Sequence, residues 1–126
     1  MAAQVLIVDD DPDIVTAIQV NLELEGYGVH VANDGAEAVE IAREVRPDVV
    51  LLDVVMPGVD GHEVLHALHG DTRTRQCKVI FLTAKSSPSS EVRKGINGVV
   101  DYIVKPFAPA DLLARVRAAL EKGSSK

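Results

Sequence analysis

The chain has 126 residues, 47% of them hydrophobic and 25% charged, a size and mix that predict one globular domain with its own core and leave no comfortable room for two. A net charge of −6 with no basic run argues against nucleic-acid binding by this domain, and no apolar stretch approaches the ~20 residues of a membrane span. Cys77 is the only cysteine, so no internal disulfide can form; the expectation is a cytoplasmic protein whose one thiol is inert and partly buried.

In chain order, Val5 to Val8, Val49 to Asp53 and Val79 to Thr83 are short apolar runs that read as strands buried on both faces, while YGVHVA from Tyr27 and VVDYIV from Val99 read as two weaker strands. Asp11 before Pro12 supplies an N-cap and a first-turn proline for a helix whose Ile14, Ile18 and Leu22 recur at i+4. DGAE from Asp34 resembles a capping box closed by Glu37, and Leu112, Val116 and Leu120 mark the last helix. KSSPSSEVRKGING, from Lys85, is predicted as a short, weak fourth helix, because Pro88, Gly95 and four serines lower its propensity. Gly26, Pro47, Gly70 and Gly98 mark stops or turns, and Pro57 with Gly58 suits the centre of a type II turn. Strands alternating with helices predict a doubly wound α/β (βα)5 sandwich over residues 1–122, with residues 123–126 as a flexible tail or the start of a linker.

In an open parallel sheet, ligands lie beyond the carboxyl ends of the strands. There the sequence places Asp9 and Asp10 after the first strand, Asp53 at the end of the third, Thr83 at the end of the fourth and Lys105 after the fifth. The run Asp9, Asp10, Asp11, followed by Asp13, needs an explanation, since unit charges ~4 Å apart repel by about 1 kcal/mol in water and about 4 kcal/mol near a protein surface. Three carboxylates on a rigid rim suit Mg²⁺, whose remaining positions water and phosphate fill. Lys105 and Thr83 suit a phosphoryl group, which an ionised Asp53 can attack at phosphorus to form an acyl phosphate. Asp11 needs only to cap its helix. A calcium loop fails, because Ile14 and Val20 stand where that loop needs glycine and a bidentate glutamate.

Taken together, LIVDDDPDI, VVLLDVVMPGVDGHEVL, FLTA and DYIVKPFAPADLLARV resemble the receiver domain of two-component response regulators, over essentially the whole chain. The resemblance implies a five-stranded parallel sheet in order 2-1-3-4-5, with Asp53 as the phospho-acceptor. Metal ligation is implied for Asp9, Asp10, Asp53 and the backbone carbonyl of Val55, phosphate contact for Thr83 and Lys105, and a switch pair in Thr83 and Tyr102. Its phosphodonor would be a sensor histidine kinase or a phosphotransfer protein. The domain would catalyse only its own phosphorylation and dephosphorylation, and would switch the surface formed by the fourth predicted helix, the fifth strand and the fifth predicted helix. Asp101, Asp111, Arg93 and Arg115 place opposite charges on that face, where a phosphorylation-dependent homodimer is expected.

Two other classes fit the strand-end carboxylates less well. A Mg²⁺-dependent phosphohydrolase needs a leaving-group acid and a substrate pocket that the compact loops do not offer, and a flavin or nucleotide module would meet repulsion from Asp9 to Asp11. His62, His66 and His69 share one arc of the third helix, where a solvated polar face is expected over a metal site.

Overall fold

The apolar runs become the centre of one sheet. A computed structural model describes residues 3–53, 55–56, 59–83, 99–105 and 107–124. Strands β1(Gln4–Val8), β2(Gly28–Ala32), β3(Val49–Asp53), β6(Lys78–Thr83) and β7(Val99–Val104) are parallel in the order β2-β1-β3-β6-β7. Counted alone, they follow the expected order 2-1-3-4-5. The sequence reading missed a two-stranded antiparallel ribbon, β4(Val55–Met56) with β5(Val59–Asp60), on either side of the predicted Pro57–Gly58 turn. Those two turn residues lie outside the described residues, as does the predicted fourth helix.

Alternation along the strands sorts their side chains between two cores. Val5, Ile7, Val49, Leu51, Ile80, Leu82 and Ile103 pack with α1(Pro12–Leu24) and α4(Pro109–Ser124) through Val15, Ile18, Leu22, Leu112, Val116 and Ala119. On the other face Leu6, Val8, Val50, Leu52, Val79 and Phe81 meet α2(Gly35–Val45) and α3(Gly61–His69) through Ala38, Ala42, Val64, Leu65 and Leu68. The central strands are buried on both faces, which is why their sequence shows no polar alternation. Cys77 is buried in the second core, and desolvation pushes its thiol up to about 11, so the thiolate is absent at neutral pH.

Local signals set the helix ends. The Asp11 carboxylate accepts from the N–H groups of Asp13 (3.0 Å) and Ile14 (3.5 Å). Asp34 accepts from Glu37 N–H (2.8 Å), and the Glu37 carboxylate reaches back to Asn33 N–H (2.8 Å), one residue before the cap. Helix α1 stops where Gly26 adopts φ 91°, letting Tyr27 N–H bond back to Leu22 and Gly26 N–H to Glu23. Arg46 ends α2 in the same left-handed region, at φ 52°. Helix α4 runs to Ser124.

Candidate functional site

Parallel register carries the chemistry to one edge. Val8 pairs with Leu52, Asp53 with Leu82, and Thr83 with Val104, so the residues at or just past these ends, Asp9, Asp53, Thr83 and Lys105, share the carboxyl rim. Asp9 is fully buried and Asp53 nearly so, whereas Asp10 is exposed. Oxygens of these three carboxylates lie within 4.8 Å of one another, the one cluster of three or more possible metal ligands among the described residues.

A lysine offsets this buried negative charge. Lys105 Nζ donates to Asp9 Oδ2 at 2.8 Å and to Asp53 Oδ2 at 3.3 Å. Burial pulls the ammonium's pKa down, but the Asp9 hydrogen bond and the charges of Asp53 and Asp9 outweigh it, and the net shift is upward. Asp11 N–H donates to Asp9 Oδ1 at 2.9 Å, so both Asp9 oxygens are held.

The aspartate run thus divides its labour. Asp9 is neutralised by Lys105, Asp11 caps α1, Asp13 sits in the first helical turn beside the positive end of the helix dipole, and Asp10 faces solvent. Three hard oxygen donors converging beside a fixed cation fit a divalent ion such as Mg²⁺, with Asp10 the most accessible of them.

Of the remaining expected residues, Val55 lies in β4, paired with Asp60, and Thr83 ends β6; the positions of their side chains lie outside the described residues. Tyr102 is half-buried against the core under α2 and α3, and its N–H donates to Asp101 Oδ1 at 2.8 Å. Arg115 is already engaged within the chain, by Asp101 (2.7 Å) and Asp111 (3.1 Å). Arg93 lies outside the described residues.

His66 is exposed, as a solvated face requires, but His69 departs from it: its Nε2 is buried without a hydrogen-bond partner among the described residues. The His62 side chain lies outside them. Also unforeseen is an ion-pair cluster in which Asp71 binds both Arg43 (2.8 Å) and Arg73 (2.9 Å). Twenty-eight residues separate Asp71 from Arg43, and no periodic or motif signal links them.

A family model described as the response regulator receiver domain matches residues 5–117. The DNA-binding response regulator MtrA of Mycolicibacterium smegmatis is 38% identical over 126 residues, all of this chain and 54% of the relative. The chain therefore spans about half the length of such curated relatives. Among solved structures, chemotaxis protein CheY4 of Vibrio cholerae superposes with a TM-score of 0.88 at 33% identity, covering 95% of this chain and 100% of that one. The receiver domain of sensor histidine kinase PA1611 from Pseudomonas aeruginosa, with a magnesium ion coordinated in its active-site cleft, gives 0.85 at 29% identity, covering 96% of this chain and 99% of that one. Among the described residues, no helix is long and apolar enough to cross a membrane.

Proposed function

The chain belongs to the response regulator receiver domain family, and from that premise we propose that it accepts a phosphoryl group on Asp53 from the phosphohistidine of a sensor histidine kinase or phosphotransfer protein. The observation that carries this reading is the Lys105 ammonium placed between Asp9 and Asp53, next to the exposed Asp10. An Asp53 oxygen attacks phosphorus, the P–N bond breaks with its electron pair leaving on the donor imidazole, and an acyl phosphate results.

Asp10, Asp53 and the Val55 carbonyl would hold Mg²⁺, with Asp9 beside them. Bound there, the ion supplies charge neutralisation to the phosphoryl oxygens. Lys105 holds a positive charge at the carboxyl rim, where the transferred group arrives, and Asp9 keeps that charge in place. Thr83 Oγ would then follow the phosphoryl group and Tyr102 would repack, altering the surface around β7 and α4 that an output domain or partner reads. A phosphorylation-dependent homodimer across this surface would first have to release Arg115 from Asp101 and Asp111.

Acetyl phosphate with Mg²⁺ tests the assignment. A mass shift of one phosphoryl group is expected on the wild-type chain and none on Asp53→Asn; undiminished labelling of Asp53→Asn would refute it.

A further inference from the structure

The pairings of β1 with β2, of β1 with β3 and of β3 with β6 advance residue by residue, and that of β6 with β7 does not. Val79 pairs with Val99, but the next residue of β6, Ile80, pairs with Asp101, so Val100 stands opposite no residue of its neighbour. β7 lies at the edge of the sheet, where an extra residue in one strand is tolerated as a bulge that locally interrupts the ladder. Beyond the bulge the pairing is regular again, Phe81 with Tyr102, Leu82 with Ile103 and Thr83 with Val104.

From Asp101 onward β7 is pinned. Ile103 is 1% exposed in the core under α1 and α4, and Tyr102 packs against the core on the opposite face. Asp101 Oδ1 accepts from Arg115 Nη1 of α4 at 2.7 Å and from Tyr102 N–H at 2.8 Å. A slip of one residue in this half would turn Ile103 out of its core, because successive residues of a strand face opposite sides. Ahead of Asp101 the same slip meets no such barrier. The extra residue and its neighbour are both valine, so moving Val100 into the place opposite Val79 exchanges one valine for another. Val99 then comes opposite Lys78, which has no partner in β7 in the bulged register. The bulge closes, and Ile80 still faces Asp101.

We propose that the first two residues of β7 exchange between these two registers, bulged and regular, while the strand from Asp101 onward stays fixed. The exchange moves the chain entering β7 by one residue, ~3.3 Å, directly ahead of Tyr102, and so gives the proposed switch a two-state element. That role, unlike the exchange itself, rests on the reading of Asp53 as the phospho-acceptor.

The test is 15N relaxation dispersion on the unphosphorylated 126-residue chain. Exchange on the microsecond to millisecond scale, or doubled peaks where it is slower, is expected at the amides of Val79, Ile80, Val99 and Val100 and not at those of Ile103 and Val104. Val99→Glu puts a carboxylate opposite the buried Val79 in the bulged register and opposite Lys78 in the regular one, so it should hold the regular register. Val100→Glu meets Val79 only in the regular register and should hold the bulged one. Each variant should therefore lose the exchange at Val79 and Ile80. Single peaks with flat dispersion at these amides in the wild type, or exchange undiminished in both variants, would overturn the proposal. Acetyl phosphate labelling is read separately, so a failure of the Asp53 assignment stays distinct from a failure of the register exchange.

Discussion

Lys105 lies closer to Asp9, at 2.8 Å, than to Asp53, at 3.3 Å, so the tighter partner of the lysine is the fully buried carboxylate and not the proposed phospho-acceptor. Among the described residues, removing the lysine leaves Asp9 buried with the Asp11 N–H bond alone to offset its charge. Lys105→Met should therefore destabilise the chain by about 3 kcal/mol and Asp9→Asn by less, because the lysine keeps Asp53. The double variant should cost clearly less than the sum of the two. Urea denaturation of the four proteins measures this; additive costs would show that the pair is not coupled.

Asp10 offers the opposite case. It is exposed and adds negative charge next to Asp9 and Asp53, so Asp10→Asn should leave the metal-free chain as stable as wild type or more so. Wild-type chain should gain stability with Mg²⁺ as RT ln(1 + [Mg²⁺]/Kd), about 2.7 kcal/mol at a hundred times Kd, and chelation should remove that gain. Asp10→Asn should lose most of it. Thermal melts with and without chelator decide the point, and an equal Mg²⁺ shift in both proteins would exclude Asp10 as a ligand.

What the sequence made readable was what is local or periodic. Apolar runs marked β1, β3 and β6 because burial on both faces leaves no polar position in them, and Asp11 and Asp34 marked helix starts because a cap acts on residues two and three ahead. The cluster of Asp9, Asp10, Asp53 and Lys105 was readable because each of the four stands at or just past a strand end, so topology alone collects it. Ion pairs between side chains on separate elements left no such trace. Asp71 with Arg43, and Arg115 with Asp101, depend on how far two elements lie apart after packing. The β4–β5 ribbon was missed because two-residue strands carry no period. His69 was misread because helical spacing gives an arc and not the depth of the arc's edge.

At the amino end of the sheet, a Cβ on Gly28 would sit 2.6 Å from the Gln4 carboxamide, whose Oε1 bonds His30 Nε2 at 2.7 Å. The carboxamide can swing away, so Gly28→Ala should cost about 1 kcal/mol, the worth of the lost hydrogen bond. In a Gln4→Ala background the same change should be neutral or stabilising, since alanine then has space and a smaller conformational entropy cost. A cost that persists without the Gln4 side chain would contradict this account.

Acid should loosen the ion pairs of Asp71 with Arg43 and Arg73. The Arg73 guanidinium and backbone N–H, and then Arg43, hold the Asp71 carboxyl far below the usual carboxylate range, against a smaller opposing effect of desolvation. A depressed carboxyl contributes stability that is present above its unfolded value near ~3.9 and lost as pH falls toward the folded one. The stability difference between wild type and Asp71→Asn should thus stay level from neutral pH to about pH 5 and shrink only in stronger acid. Urea titrations across that range measure it; a difference that vanishes above about pH 5 would mean the guanidiniums do not hold the carboxylate.

Arg46 ends α2 at a cost in stability. At φ 52° it occupies a backbone region that costs residues with a Cβ about 1–2 kcal/mol and glycine almost nothing. Glycine gives back part of this gain through its larger freedom in the unfolded chain. Arg46→Gly should therefore stabilise the chain by about 0.5–1 kcal/mol, since the lost side chain makes no bond among the described residues. Urea denaturation of the two proteins measures this. A loss of stability in Arg46→Gly would show that the arginine side chain contributes more than its left-handed backbone costs.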